Sequence, residues 1–212
     1  MVAMNRTRRA LMALTLFAAL PAGAFAQGEP ALVNQIAARL ARPLAVRARF
    51  TQTQTLAAMK APLVSHGSLV FARDQGVIWR IDDPYRATYV ISDAGVVEVN
   101  AGGQRVQRGT RPPAGVGQVS KMMRSMLAGD LSSLYSQFDV KASGTPEHWT
   151  MQLTPNQPQI AQALKGLTLE GGAYLTNLQL STASGDVTRM EFTGSTTLDG
   201  LPAAERALFG AH

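Results

Sequence analysis

The residues able to do chemistry in this chain are few and badly spaced for it. Three histidines, His66, His148 and His212, are spread over the sequence, and no two share the i, i+4 helical spacing that places a pair of imidazoles on one metal. The acidic pair Asp82-Asp83 directly precedes Pro84, where aspartate serves a turn through its backbone hydrogen bonds better than it serves acid and base catalysis. Gly115-Val116-Gly117 has the glycines of a phosphate loop without the Gly-Lys-Ser/Thr ending, so it lacks the ammonium and hydroxyl that loop needs. There is no Gly-x-Ser-x-Gly elbow and no cysteine at all, which removes thiol nucleophiles, thiolate metal sites and disulfides. Neither a catalytic constellation nor a metal or cofactor site is expected.

What remains is apolar. Met122, Met123, Met126 and Leu127 form a stripe at helical spacing after a loop rich in proline and glycine at 110–117. Thioether side chains are unbranched and polarizable, so they adapt to apolar partners of varied shape. Opposite such a helix, strand alternation selects Phe50, Leu69, Phe71, Trp79, Tyr89 and Ile91 as inward-facing. A Met-bearing lid over an apolar trough is the chemistry this pattern supports.

The elements that must hold these side chains follow from periodicity. Leu32, Val33, Ile36 and Leu40 recur at helical spacing over 29–42, with Pro30 in the first turn and Pro43 ending the pattern. Val46, Ala48 and Phe50 then alternate with polar residues, the period of a half-buried strand running toward Gln54. Short strands are expected at 67–72, 76–81, 87–92, 96–100 and 104–107, each bounded by Gly, Pro or Asp in a tight reversal. A helical pair broken near Gly129 covers 119–138. Strands resume at 139–142 and 148–154, a short helix is expected at 157–165, and strands at 167–170, 173–181 and 187–196 close the pattern, leaving a short apolar tail from Leu201. Connections this short join antiparallel neighbours. The fold class is α+β: an incomplete, open antiparallel β-barrel of about ten or eleven strands, its open side covered by helices as a lid over a hydrophobic cavity.

The amino terminus carries Arg6, Arg8 and Arg9, an apolar run at 10–20 and Ala24-Phe25-Ala26. The run falls short of the roughly 20 residues that span a bilayer, and small residues follow it, as in a secretory signal. Residues 1–26 are therefore expected to be removed, leaving a single domain at 27–212 in the periplasm, and no cysteine follows the cleavage site to be acylated. Of 20 basic and 14 acidic residues the signal holds three basic ones, so the mature charge falls from +6 to +3. The remaining Lys and Arg are scattered with few aromatics between them, a poor match to nucleic acid.

Several segments in order resemble the periplasmic outer-membrane lipoprotein carrier family, LolA. They are Phe50-Thr51-Gln52, then Gly67-Ser68-Leu69-Val70-Phe71-Ala72-Arg73, then Trp79, Pro84 and Val90-Ile91-Ser92-Asp93-Ala94-Gly95. The resemblance implies a carrier of acylated lipoprotein or lipid cargo, working as a monomer between an inner-membrane exporter and an outer-membrane acceptor protein. It also implies that Arg73 is the latch tying the helical lid to the barrel. The family usually has Arg-Pro where this chain has Arg73-Asp74, and an Arg where Ile78 precedes Trp79. Those departures leave the cargo open between a lipoprotein, a glycolipid, a polyene-type lipid and another acylated molecule. The alternative implied by the same fold is a periplasmic domain that senses lipids or lipoproteins.

Overall fold

The computed structural model describes residues 29–92, 95–100, 104–106 and 131–210. The described residues begin with helix α1 (Glu29–Leu40), followed by six strands, β1 (Ala45–Thr55), β2 (Leu63–Ala72), β3 (Gly76–Asp83), β4 (Ala87–Ser92), β5 (Gly95–Val99) and β6 (Arg105–Val106). After a short helix α2 (Leu131–Tyr135) come β7 (Phe138–Thr145), β8 (His148–Pro155), a one-turn helix α3 (Pro158–Ala161), β9 (Leu164–Gly171), β10 (Leu175–Thr182), β11 (Val187–Leu198) and helix α4 (Ala203–Leu208). All eleven described strands form one sheet in the order β6-β5-β4-β3-β2-β1-β11-β10-β9-β8-β7, and every pairing is antiparallel. β6 and β7 are its two edges and do not pair with each other, so the sheet is open, as expected.

Alternation sorts the strands into two faces. The inner face carries Phe50, Leu69, Phe71, Trp79, Tyr89 and Ile91 from the first half, and Trp149, Met151, Leu153, Leu167, Leu169, Leu178 and Phe192 from the second, all in one core. Helix α1 lies in that core through Leu32, Val33, Ile36 and Leu40, the residues whose spacing marked its apolar face. Leu134 of α2 is buried there too. The outer face is mostly polar, except where Ala45, Val70, Ala72 and Ile78 meet Leu201 and the partly buried Leu198, Leu208 and Phe209. This second core seats α4. Beside it the buried Glu205 carboxylate accepts from Arg47 Nη2 at 3.0 and 2.9 Å and from Arg80 Nη1 at 3.3 Å.

Two glycines shape the centre. Pairing of β1 with β11 steps from Arg47 to Arg49 on one strand while the other steps from Thr196 to Thr193. The extra residue belongs to β11, and Gly194 takes it up at φ +61°, a region other residues enter at a cost. Gly67 faces Phe50 across β1 and β2. A Cβ on Gly67 would collide with the Arg80 carbonyl and lie 2.7 Å from the Phe50 ring, so the ring lies over bare backbone.

Several boundaries differ from the sequence expectation. β2 begins at Leu63 rather than at Gly67, because 63–66 complete the ladder with β1 although Leu63 and Val64 are exposed. The helix expected at 157–165 stops at Ala161, since Leu164 is buried and pairs with Thr182 as the start of β9. The tail beyond Leu201 is helical and docked rather than merely apolar. Of the helical pair expected at 119–138, only Leu131–Tyr135 is described, and Phe138 already belongs to β7.

Candidate functional site

The inner face of β1–β4 is built from side chains that step across the strands in register. Ala48 pairs with Leu69, Leu69 with Trp79, and Trp79 with Tyr89. One step along, Phe50 pairs with Gly67. Because Gly67 has no side chain, the Phe50 ring reaches past β2 to Trp79, with ring centroids 4.2 Å apart and planes tilted by 32°. Phe50, Leu69, Phe71, Trp79 and Ile91 are each no more than 4% exposed, and Tyr89 is 9% exposed. All six residues picked from strand alternation thus share one apolar surface. Met122, Met123 and Met126 lie outside the described residues.

A cavity opens in this surface where α1 ends. It is lined by Leu40 and Pro43 of the helix end and following loop, Val46 and Ala48 of β1, Leu69 and Phe71 of β2, Leu169 of β9, Leu175 of β10, Phe192 and Ser195 of β11, and Ala173 and Tyr174 of the turn between β9 and β10. Its volume is about 50 Å³, far below the roughly 300 Å³ at which small-molecule pockets begin. As it stands, this cavity is too small to hold an acyl chain. Two of the expected cavity residues, Leu69 and Phe71, line it directly. Phe50, Trp79, Tyr89 and Ile91 continue the same surface beside it.

The contribution of β9–β11 was missed at the sequence level, yet the signal was present. Leu167 and Leu169, Leu178 and Leu180, and Met190 and Phe192 alternate with polar residues as regularly as the first-half strands do.

Polar contacts tie down the end of α1 and the loop that follows it. The Arg73 backbone N–H donates to the Leu44 carbonyl at 3.0 Å, and its Nη2 donates to the Pro43 carbonyl, also at 3.0 Å. Arg73 Nε is buried with no partner among the described residues. The guanidinium expected to latch a lid is thus tied to the loop after α1, whose Pro43 forms part of the cavity wall. At the last turn of α1, Arg39 Nη1 donates to Glu147 Oε1 at 2.8 Å and to the Pro146 carbonyl at 3.0 Å. The Arg39 hydrogen bond holds the Glu147 carboxyl below the ordinary carboxylate range. Burial, then the nearby Glu98 and Tyr85, pushes the Tyr89 hydroxyl above its ordinary value, so it stays protonated.

The chemistry-bearing residues do not converge. His66 is exposed, its Nδ1 3.2 Å from Thr51 Oγ1. His148 is exposed at the start of β8, Asp82 and Asp83 are exposed at the end of β3, and His212 and Gly115-Val116-Gly117 lie outside the described residues. Among the described residues no three His, Asp or Glu side chains gather as a metal-binding group, and no helix is long and apolar enough to cross a membrane.

Comparison with protein families matches residues 26–207 to the family described as outer membrane lipoprotein carrier protein LolA-like. Among solved structures, the chain is similar to a LolA superfamily protein, NE2245 from Nitrosomonas europaea, at 11% identity over 82% of this chain and 94% of that one, with a TM-score of 0.45. It is similar to a chain of the Pseudomonas aeruginosa MucA/MucB complex at 17% identity over 82% of this chain, TM-score 0.46, and spans 58% of that chain's length. A putative outer membrane lipoprotein-sorting protein domain from Vibrio parahaemolyticus matches at 8% identity over 84% of this chain and 97% of that one, TM-score 0.38. Comparison with curated protein sequences gives no match.

Proposed function

Because the chain belongs to the family of LolA-like outer membrane lipoprotein carrier proteins, we propose that it is a periplasmic carrier that binds the acyl chains of a lipoprotein or lipid against its inner sheet face. It shuttles that cargo from the inner to the outer membrane and is not an enzyme. Residues 1–26 direct export and are removed, and residues 27–212 act as one monomeric domain, loaded by an inner-membrane exporter and emptied by an outer-membrane acceptor.

The observation that carries this reading is the continuous apolar face running through β1–β4 and β8–β11, overlaid by α1 and opening as a small cavity beneath the end of that helix. Each acyl CH₂ moved from water onto such a surface contributes about 0.8 kcal/mol, so a few methylenes suffice for useful affinity. Phe50, Leu69, Phe71, Trp79, Tyr89 and Ile91 form the proposed binding face, with Met122, Met123 and Met126 as the proposed lid. Arg73 is the proposed latch, acting through the loop that carries Pro43.

Native mass spectrometry of the protein purified from a periplasm without detergent, with lipid extraction of the same sample, tests the carrier. A stoichiometric acylated ligand is expected. An empty protein that also takes up no lipid or lipoprotein on addition would overturn the carrier and favour a sensing domain.

A further inference from the structure

The two tryptophans of this chain are both buried on the inner face, Trp79 at 3% and Trp149 at 2% exposure, but they differ in one respect. Trp149 Nε1 donates to the Gly172 carbonyl at 3.0 Å. Trp79 Nε1 is buried with no acceptor among the described residues. The indole N–H is a donor only, and a buried donor without an acceptor is costly enough that folded proteins rarely keep one without a reason.

Its position supplies the reason. Trp79 stands directly across the ladder from Leu69, which lines the cavity. Its other neighbour in the row is Tyr89, and Tyr89 pairs with Glu98 of β5. Across this row the inner face therefore changes from aliphatic, at Ala48 and Leu69, to polar, at the phenol and carboxylate. The unpaired donor sits at the change.

Resting on the acyl-chain reading above, we infer that the Trp79 indole N–H receives the carbonyl oxygen of an acyl ester. The methylenes then run toward Leu69 and Phe71, and the head of the molecule lies toward Tyr89 and Glu98. A neutral carbonyl suits this place better than a carboxylate, because a charged acceptor would have to leave water for an apolar wall with only one donor to meet it. The carrier in this account reads the linkage of its cargo as well as its chain.

The test compares two lysophosphatidylcholines that differ at one oxygen, 1-palmitoyl and 1-O-hexadecyl, the second having an ether in place of the ester. The full chain, exported and processed, should bind the ester about tenfold more tightly, the effect of one buried hydrogen bond. Trp79→Phe keeps an aromatic ring but loses the N–H, so it should bind both lipids with equal affinity. In the unmutated protein the ester, not the ether, should move the ¹⁵N indole resonance of Trp79 downfield, while that of Trp149 serves as an unmoved reference. This second readout needs no variant to fold. Equal binding of the two lipids by the unmutated protein, or an ester preference that survives Trp79→Phe, overturns the carbonyl site and leaves acyl binding intact. Binding of neither lipid removes the acyl-chain reading itself, and the carbonyl site with it.

Discussion

At position 73 one side chain reaches the loop that closes the cavity. Arg73 Nη2 donates to the carbonyl of Pro43, a cavity-lining residue, so the bond exists only while the loop after α1 is in place. A hydrogen bond with a charged donor is worth about 1.5–3 kcal/mol, so in the proposed latch it would favour the closed, empty state over the loaded one. Arg73→Leu should therefore keep its cargo through purification and release it to acceptor vesicles at least about tenfold more slowly. Transfer of a radiolabelled lipid from loaded protein to vesicles checks this, and an unchanged rate would remove Arg73 from the release step. Gly67 shows the opposite kind of importance: it contributes nothing but space, and through that space Phe50 meets Trp79.

Among the elements, α1 is the one that overlies the site, and its attachment is uneven. Leu32, Val33, Ile36 and Leu40 are buried, whereas the last turn is fastened to the β7–β8 turn by the exposed Arg39–Glu147 pair. Since the folded protein lowers the Glu147 carboxyl below its unfolded value, the contact is fully present above the ordinary carboxylate range and is lost as acidification passes through the lowered value. Acid should then lower the protection factors of the amides at 36–40, measured against the intrinsic exchange rate at the same pH, and Glu147→Gln should do the same at neutral pH, as followed by hydrogen exchange. Unaltered protection in that variant would show that burial alone holds the turn.

The elements also show what was legible beforehand. Helix α1 could be read from its helical spacing, β1 from its alternation, and the next strands from the turn residues that bound them, since β2 and β3 bury side chains on both faces; the six inward residues of that half follow from taking every second position. Leu164 was assigned to a helix because its neighbours have no alternation of their own; only pairing with Thr182 makes it a strand residue. The lining by Pro43 and Tyr174 was not legible, because the loop and turn that carry them come together at the cavity through tertiary packing and leave no periodic mark. The docked tail was missed for a similar reason: Glu205 is buried against Arg47 and Arg80, over a hundred residues away in sequence.

For the molecule as a whole, the two faces of the sheet carry separate tasks. The inner core holds the candidate site, while α4 and its arginine pair sit behind it. Glu205→Ala leaves Arg47 and Arg80 without their shared acceptor. Because Arg47 is 44% and Arg80 29% exposed, water recovers part of the loss, and the cost should be about 1–2 kcal/mol rather than the 3–5 of a fully buried pair. Urea unfolding measures that cost. Lysolipid affinity should stay unchanged, and a parallel loss of binding would mean that the rear core shapes the site.

The strand order has a further consequence for how the chain reaches this state. Among the described residues, nine of the ten strand pairings join neighbours in sequence, and one, β1 with β11, joins the first described strand to the last. β1–β6 and β7–β11 are thus two meanders, each assembled from local hairpins whose loops cost little entropy to close. Nearly all the long-range loop closure of the sheet falls on a single seam, at Ala45 opposite Leu198 and onward, and that seam runs through the middle of the inner face. Neither meander alone can form the cavity, whose walls are Leu69 and Phe71 on one side and Leu169, Leu175 and Phe192 on the other. The cavity therefore exists only once that seam has closed.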